Sequence, residues 1–163
     1  MAVPKIRVLV TALALSASGL TGIAVHEGLR NHSYLDTGKV WTVCHGHTKT
    51  AGPGQYRDTA TCKRLLAADV KDAELVVQRR VTIPITSEQY DELVDFTFNV
   101  GETQFANSTL LKRLNAGDCW GAASQFDRWV YDNGKRQPGL VSRRANNRKG
   151  FERGCVWWQS LST

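Results

Sequence analysis

The chain of 163 residues predicts an α+β protein with a small β-containing N-terminal lobe, a long connecting helix and an all-helical C-terminal lobe. Three observations carry this. Residues 33–58 are dense in turn signals, apolar residues adopt helical spacing from Thr59 onward, and helix caps recur after residue 85.

The elements follow in order. Asp36-Thr37-Gly38, Gly46 and Ala51-Gly52-Pro53-Gly54 bracket "KVWTV", whose β-branched and aromatic residues read as a strand in a small hairpin or three-stranded sheet. Cys62, Leu66, Val70, Ala73 and Val77 then mark one face of a helix of about five turns, which Ile83-Pro84-Ile85 stops. Thr86 and Gln89 form a capping box at the start of "SEQYDELVDFTFNV", and Gly101 ends that helix. Asn107 or Ser108 caps "TLLKRLN". Gly117-Asp118 closes that helix and caps the next, which carries Ala122, Ala123, Phe126 and Trp129. Gly134 and Gly139 interrupt the chain before a last helix ending at "CVWWQSL". There is no internal repeat, low-complexity tract or flexible linker.

A net charge of +6 points to an anionic partner. Much of it lies in Arg143, Arg144, Arg148, Lys149 and Arg153, which read equally well as a solvated helix face. The five tryptophans are not interleaved with basic residues as in a single-strand binder, so nucleic acid is not expected. Trp120, Trp157 and Trp158 read as packing residues, and Trp129 as packing or cleft lining.

The N-terminus has a distinct character. Lys5 and Arg7 precede an uncharged run from Val8 to Val25, long enough at about 1.5 Å per residue to approach the roughly 30 Å of a bilayer core. The flanking charges would keep the N-terminus cytoplasmic and export everything from Glu27 onward. Ala, Gly, Ser and Thr make up more than half of the run, so insertion is marginal. Three readings compete: a signal peptide cut after Ala14 or Ser18, a permanent anchor, and a segment that inserts and later leaves. The division expected is a signal-anchor over 1–25 and a catalytic domain over 26–163.

Directly after this run, eight residues separate Glu27 from Asp36 and five separate Asp36 from Thr42. Glycosidic cleavage needs two carboxyl groups in unlike environments, one protonated and one ionised. Apolar Val25 and Leu29 beside Glu27 would raise its pKa, and the polar turn at Asp36 would keep that group charged. Thr42 could bind the same water. By spacing alone, Asp36 is equally a turn residue and Thr42 a strand residue. "CHGH" offers Cys44, His45 and His47 to a metal, with His26 and His32 nearby, as in a zinc amidase or peptidase. A structural or substrate-facing pair on one strand face is the simpler reading, so neither metal nor cofactor is expected.

The stretch "EGLRNHSYLDTGKVWTVCHGHT" resembles the phage-type lysozymes of glycoside hydrolase family 24, whose signature is a glutamate, eight residues, an aspartate or cysteine, five residues and a threonine. The resemblance continues through "FTFNVGETQFANSTLLKRLNAGDCWGAASQFDRWVYDNGK" and "GLVSRRANNRKGFERGCVWW". With the weakly apolar N-terminus, it is most similar to the signal-arrest-release endolysins of lambdoid phages. The resemblance implies a lysozyme-like fold and a muramidase that cuts the β-1,4 bond between N-acetylmuramic acid and N-acetylglucosamine. Glu27 would be the acid, Asp36 the second carboxylate and Thr42 the third member. Peptidoglycan would be the substrate and the host inner membrane a transient partner before release to the periplasm as a monomer. A zinc-dependent amidase or peptidase and a non-enzymatic wall-binding module are the rivals. Some relatives are held inactive by a cysteine at the second catalytic position. Asp36 stands there, and no cysteine precedes Cys44, so control by thiol exchange with the anchor is excluded.

Export favours two disulfides over four buried thiols. Four cysteines allow three pairings. The one expected joins Cys44 to Cys62, hairpin to long helix, and Cys119 to Cys155, two helices of the C-terminal lobe.

Overall fold

A computed structural model describes residues 8–36 and 38–159, with side chains as far as Val156. The chain divides into two compact units. One is Ala17–Asp72, and the other combines the chain before Ala17 with the chain from Ala73 onward.

The unit Ala17–Asp72 contains α1 (Ala17–Glu27), β1 (Arg30–Leu35), β2 (Trp41–Cys44) and the first part of α2 (Thr59–Arg80). The expected strand is β2. It pairs antiparallel with β1 in the register Leu35↔Trp41, Tyr34↔Thr42 and Arg30↔Cys44, with an irregularity between Arg30 and Tyr34. A third extended stretch touches β1 through one bridge, His32↔Tyr56, and hydrogen bonds on either side of it. Val43, Cys44 and Cys62 form the small core, covered by Ala51 and Leu65. The Cys44–Cys62 disulfide ties the end of β2 to α2.

All five apolar residues of the predicted helical face are buried: Cys62, Leu66, Val70, Ala73 and Val77. The helix stops at Arg80, as Ile83-Pro84-Ile85 predicts, since Pro84 has no N–H to give the Arg80 carbonyl. The Asn115 side chain accepts from Thr82 N–H (3.0 Å) and donates to the Arg80 carbonyl (2.9 Å), satisfying polar groups that further helical turns would otherwise hold.

In the other unit, α3 (Ser87–Val100) opens with the expected capping box. Thr86 Oγ1 accepts from Gln89 N–H at 3.2 Å, and Gln89 Oε1 accepts from Thr86 N–H at 3.1 Å. A short helix not foreseen, α4 (Glu102–Asn107), follows Gly101. Ser108, not Asn107, caps α5 (Thr109–Asn115), and Asp118 caps α6 (Cys119–Ser124). After a 3₁₀ turn at Gln125–Arg128 comes an unforeseen hairpin, β3 (Tyr131–Asp132) and β4 (Lys135–Arg136). Asn133 and Gly134, at φ 48° and 74°, make its left-handed two-residue turn. Gly139 does not interrupt the chain. It lies in the first turn of α7 (Pro138–Gln159), where Pro138 supplies a preset φ and no orphan N–H.

Phe96 organises the core of this unit. It meets Phe105, Phe126 and Trp129 edge to face at centroid distances of 6.3, 5.3 and 5.2 Å, and Phe126 meets Phe151 at 5.6 Å. Helix α7 lies so close to α3 that a Cβ on Gly150 or Gly154 would collide with Glu92 or Gln89. The Cys119–Cys155 disulfide joins α6 to α7, and Gln89 Nε2 donates to Cys119 Sγ at 3.1 Å. In the chain-entropy picture each crosslink contributes about 3–4 kcal/mol.

Three expectations change here. Arg143 and Arg144 are 4% and 1% exposed and pair inside the protein, so these two leave the solvated face, whereas Lys149 and Arg153 remain exposed. Trp120 is exposed and is not a packing residue. The N-terminal run is no continuous helix: Val8 bridges to Ile85, Val10–Ala12 is a 3₁₀ turn, and α1 begins at Ala17. Among the described residues no helix is long and apolar enough to cross a membrane. The side chains of Trp157 and Trp158 lie outside the described residues.

Candidate active site

Glu27, Asp36 and Thr42 all belong to the unit Ala17–Asp72. Glu27 is the last residue of α1, and Gly28 at φ 70° turns the chain into β1. Because Arg30 pairs with Cys44, that turn brings Glu27 alongside the bend after β2. There, a methyl group placed on Gly46 would sit 3.9 Å from Glu27 Oε2. Gly46 itself holds φ 88°, so a side chain at this position would strain the backbone as well as crowd the carboxylate. Val25 and Leu29, the apolar neighbours in sequence, are themselves 74% and 41% exposed.

The bend is held from several sides. Val43 and His47 exchange both backbone hydrogen bonds around it. His47 is buried, with Nδ1 2.6 Å from Asp69 Oδ2 and Nε2 2.8 Å from Thr50 Oγ1. Lys49 reaches the same Asp69 at 3.2 Å and Asp72 at 2.7 Å. The two histidines of "CHGH" do not share a strand face, because β2 ends at Cys44 and His45 already lies in the turn. His47 is a structural tie from the bend to α2.

Asp36 and Thr42 meet through Val40. Asp36 Oδ1 accepts from the Val40 N–H at 2.8 Å, while the Val40 carbonyl accepts from Asp36 N–H at 3.0 Å and from the Thr42 hydroxyl at 3.1 Å. The turn thus fixes the aspartate by its own backbone. Thr42 is 4% exposed, and its oxygen keeps lone pairs able to accept from a water. The parts played by Gly46 and Val40 were not visible in the sequence. Both act through backbone geometry, and only the turn-prone character of Gly46 could have flagged it.

The arrangement places one carboxylate at a helix terminus and a second in a tight turn. The SAR-endolysin of Enterobacteria phage PA-2 is 37% identical over 152 residues, covering 91% of this chain and 90% of that protein. The SAR-endolysin of Escherichia phage Mu is 36% identical over 148 residues, covering 86% of each. Among solved structures, the muramidase domain of SpmX from Asticaccaulis excentricus superposes with a TM-score of 0.81 at 31% identity, covering 85% of this chain and 97% of that one. An endolysin from Escherichia coli O157:H7 phage FAHEc1 gives 0.79 at 30%, covering 86% and 94%. The phage lysozyme family profile matches residues 24–147, a span that contains Glu27, Asp36, Thr42 and the first three cysteines. With the profile match and the relatives' length and identity in agreement, this chain belongs to the phage lysozyme family.

Proposed function

We propose that the protein is a muramidase endolysin that hydrolyses the β-1,4 bond between N-acetylmuramic acid and N-acetylglucosamine in peptidoglycan, leading to lysis of the host cell. The observation that carries this is the glutamate, aspartate and threonine pattern inside the family match, held in one compact unit. Glu27 protonates the leaving glycosidic oxygen. Asp36, held in its turn by the Val40 N–H, takes a proton from the attacking water, and Thr42 orients that water through its free lone pair. Water then attacks opposite the leaving group, so the configuration at the anomeric carbon inverts. Wall digests should accumulate new muramic acid reducing ends, and NMR of fresh product should show the α-anomer first. Initial β-anomer would defeat the inverting assignment, and release of peptides or free amines without reducing ends would favour an amidase or peptidase.

The N-terminal run supplies the second part of the reading. The protein inserts by its N-terminal segment into the host inner membrane, N-terminus cytoplasmic, and later leaves as an uncleaved periplasmic monomer. The fold described above is read as the released form, with Val10 and Ile23 buried in the protein. Ser18, Thr21 and Gly22 are exposed in it. Replacing these three with leucine leaves the packed residues untouched and adds roughly −0.3 to −0.6 kcal/mol per residue to insertion, beyond the polar penalties removed. The triple variant should stay in the membrane fraction and lyse cells late, with wall-degrading activity intact in detergent. Parent-like timing and partition would argue against retention by marginal hydrophobicity.

A further inference from the structure

The run from Val8 to Val25 breaks in one place, between the 3₁₀ turn at Val10–Ala12 and the start of α1 at Ala17. Nothing in the local sequence demands a break there: "LALS" contains neither proline nor glycine. The cause is a set of polar side chains on α2 and α3. Glu74 Oε1 accepts from the Leu15 N–H at 2.8 Å. Asp91 accepts from the Ser16 N–H at 3.0 Å and from the Ser16 hydroxyl through its other oxygen. Gln78 Nε2 donates to the Leu13 carbonyl at 3.1 Å and to Tyr90 Oη, also at 3.1 Å. Tyr90, fully buried, donates in turn to Glu74 Oε1 at 3.2 Å.

These are the same backbone groups that a continuous helix would use. In a helix spanning residues 8–25 the N–H groups of Leu15 and Ser16 would bond to the carbonyls of Thr11 and Ala12, and the Leu13 carbonyl would accept from Ala17. A helix in lipid cannot leave those groups unpaired. The side-chain contacts and the spanning helix are therefore mutually exclusive, and each state satisfies the same peptide groups by different partners.

We infer that Glu74, Gln78 and Asp91 form a clasp that captures residues 13–16 in a broken-helix conformation and so draws the N-terminal segment out of the spanning state and onto the folded enzyme. The inference rests on the reading that the segment leaves the bilayer uncleaved. The clasp matches its target chemically, since carboxylates meet two consecutive N–H groups and an amide N–H meets the one carbonyl. Hydrogen bonds to charged groups are the stronger kind, so the segment is held by directional contacts as well as by the burial of Val10 and the Val8↔Ile85 bridge. Asp91 is half-buried, and burial pushes its carboxyl up while the two Ser16 bonds hold it down.

The test uses the intact chain. Amide hydrogen exchange is followed at Leu15 and Ser16 in the parent, Asp91→Ala, Ser16→Ala and the double variant, and in Glu74→Gln. Membrane and soluble fractions are measured for each in cells. Asp91→Ala should raise exchange at Ser16 by about tenfold or more, the value expected for losing a charge-assisted bond. Glu74→Gln should do so at Leu15 to a smaller extent, because the amide oxygen still accepts but carries no charge. Ser16→Ala should have a smaller effect that vanishes in the Asp91→Ala background, and this non-additivity distinguishes a direct clasp from general loss of folding. The soluble fraction of Asp91→Ala should fall. Parent-like exchange in Asp91→Ala and Glu74→Gln overturns the clasp, and lost protection with unchanged partition overturns its part in release. A soluble parent beginning after Ala14 or Ser18 defeats the uncleaved-release reading instead, while exchange in the intact chain still decides the clasp.

Discussion

Glu27→Gln should leave a folded protein with no measurable wall hydrolysis. The side-chain amide keeps the size and most of the hydrogen-bonding of the acid but has no proton of suitable acidity to give the leaving oxygen. Loss of a general acid costs about 10²–10⁴ in rate, and a glycosidic oxygen, being a poor leaving group, belongs at the upper end. A fall of roughly 10³-fold or more corresponds to about 4 kcal/mol of transition-state stabilisation. Asp36→Asn should be severely impaired as well, because an amide is a poor acceptor for the water proton, although its oxygen still takes the Val40 N–H. Turbidity clearing of purified walls measures both, with circular dichroism and melting temperature as controls for folding. Glu27→Gln at even a tenth of parent activity would remove Glu27 from the acid role. Gly46→Ala offers a check on geometry: its methyl group strains a left-handed turn next to Glu27, so activity should fall while the catalytic side chains remain present.

Much of this protein is written locally in its sequence. The Thr86 and Gln89 capping box, the Asp118 cap and the five-residue apolar face of α2 are interactions over three or four residues, and each forms as its spacing dictates. The candidate site was proposed from sequence for the same reason: Glu27, Asp36 and Thr42 lie within one short stretch, and all three fall in one compact unit. What escaped was set by partners distant in the chain. Asn115 fills the Arg80 carbonyl that Pro84 cannot, and the N-terminal run breaks at Leu13–Ser16, where Glu74, Gln78 and Asp91 bind it. The hairpin at Tyr131–Arg136 is a different kind of miss. Its Asn133-Gly134 turn is a strong signal, but strands of two residues give no alternation to support it. The basic C-terminus misled because charge counts say nothing about burial. Arg143 and Arg144 are inside, each matched to an acceptor on α3 that no spacing rule would pick out.

Arg143→Met should be among the most destabilising single substitutions in the chain. The Arg143 guanidinium meets the Asp95 carboxylate with two hydrogen bonds, of 2.8 and 3.2 Å, and both residues are nearly inaccessible to water. Asp95 also accepts from Asn147 Nδ2 at 2.7 Å, and the same amide nitrogen lies 2.9 Å from Glu92 Oε2. Asn147 in turn accepts from Arg144 at 2.8 Å. Methionine fills the space of the arginine stem but leaves the Asp95 carboxylate buried without its cation, a situation that costs about 3–5 kcal/mol. For a domain of this size that is a fall of roughly 10 °C in melting temperature. Neighbouring Glu92 sharpens the result. Burial already pushes its carboxyl up to about 7, and the Asp95 charge pushes in the same direction. The folded protein therefore binds a proton at Glu92 more tightly than the unfolded chain does, so this group favours folding below its unfolded pKa, and the advantage is lost as pH rises through about 7. With Arg143 gone, the defect should be worst above neutral pH and partly relieved in mild acid. Replacing Asp95 with leucine in the Arg143→Met background removes the stranded charge and should recover more than half of the loss, since Asn147 keeps Glu92 as an acceptor. Melting temperatures of the parent, both single variants and the double variant across pH 5–8 measure the coupling. Additive losses, with no recovery in the double variant, would mean that Asp95 and Arg143 stabilise α3 and α7 separately and that the pair itself contributes nothing.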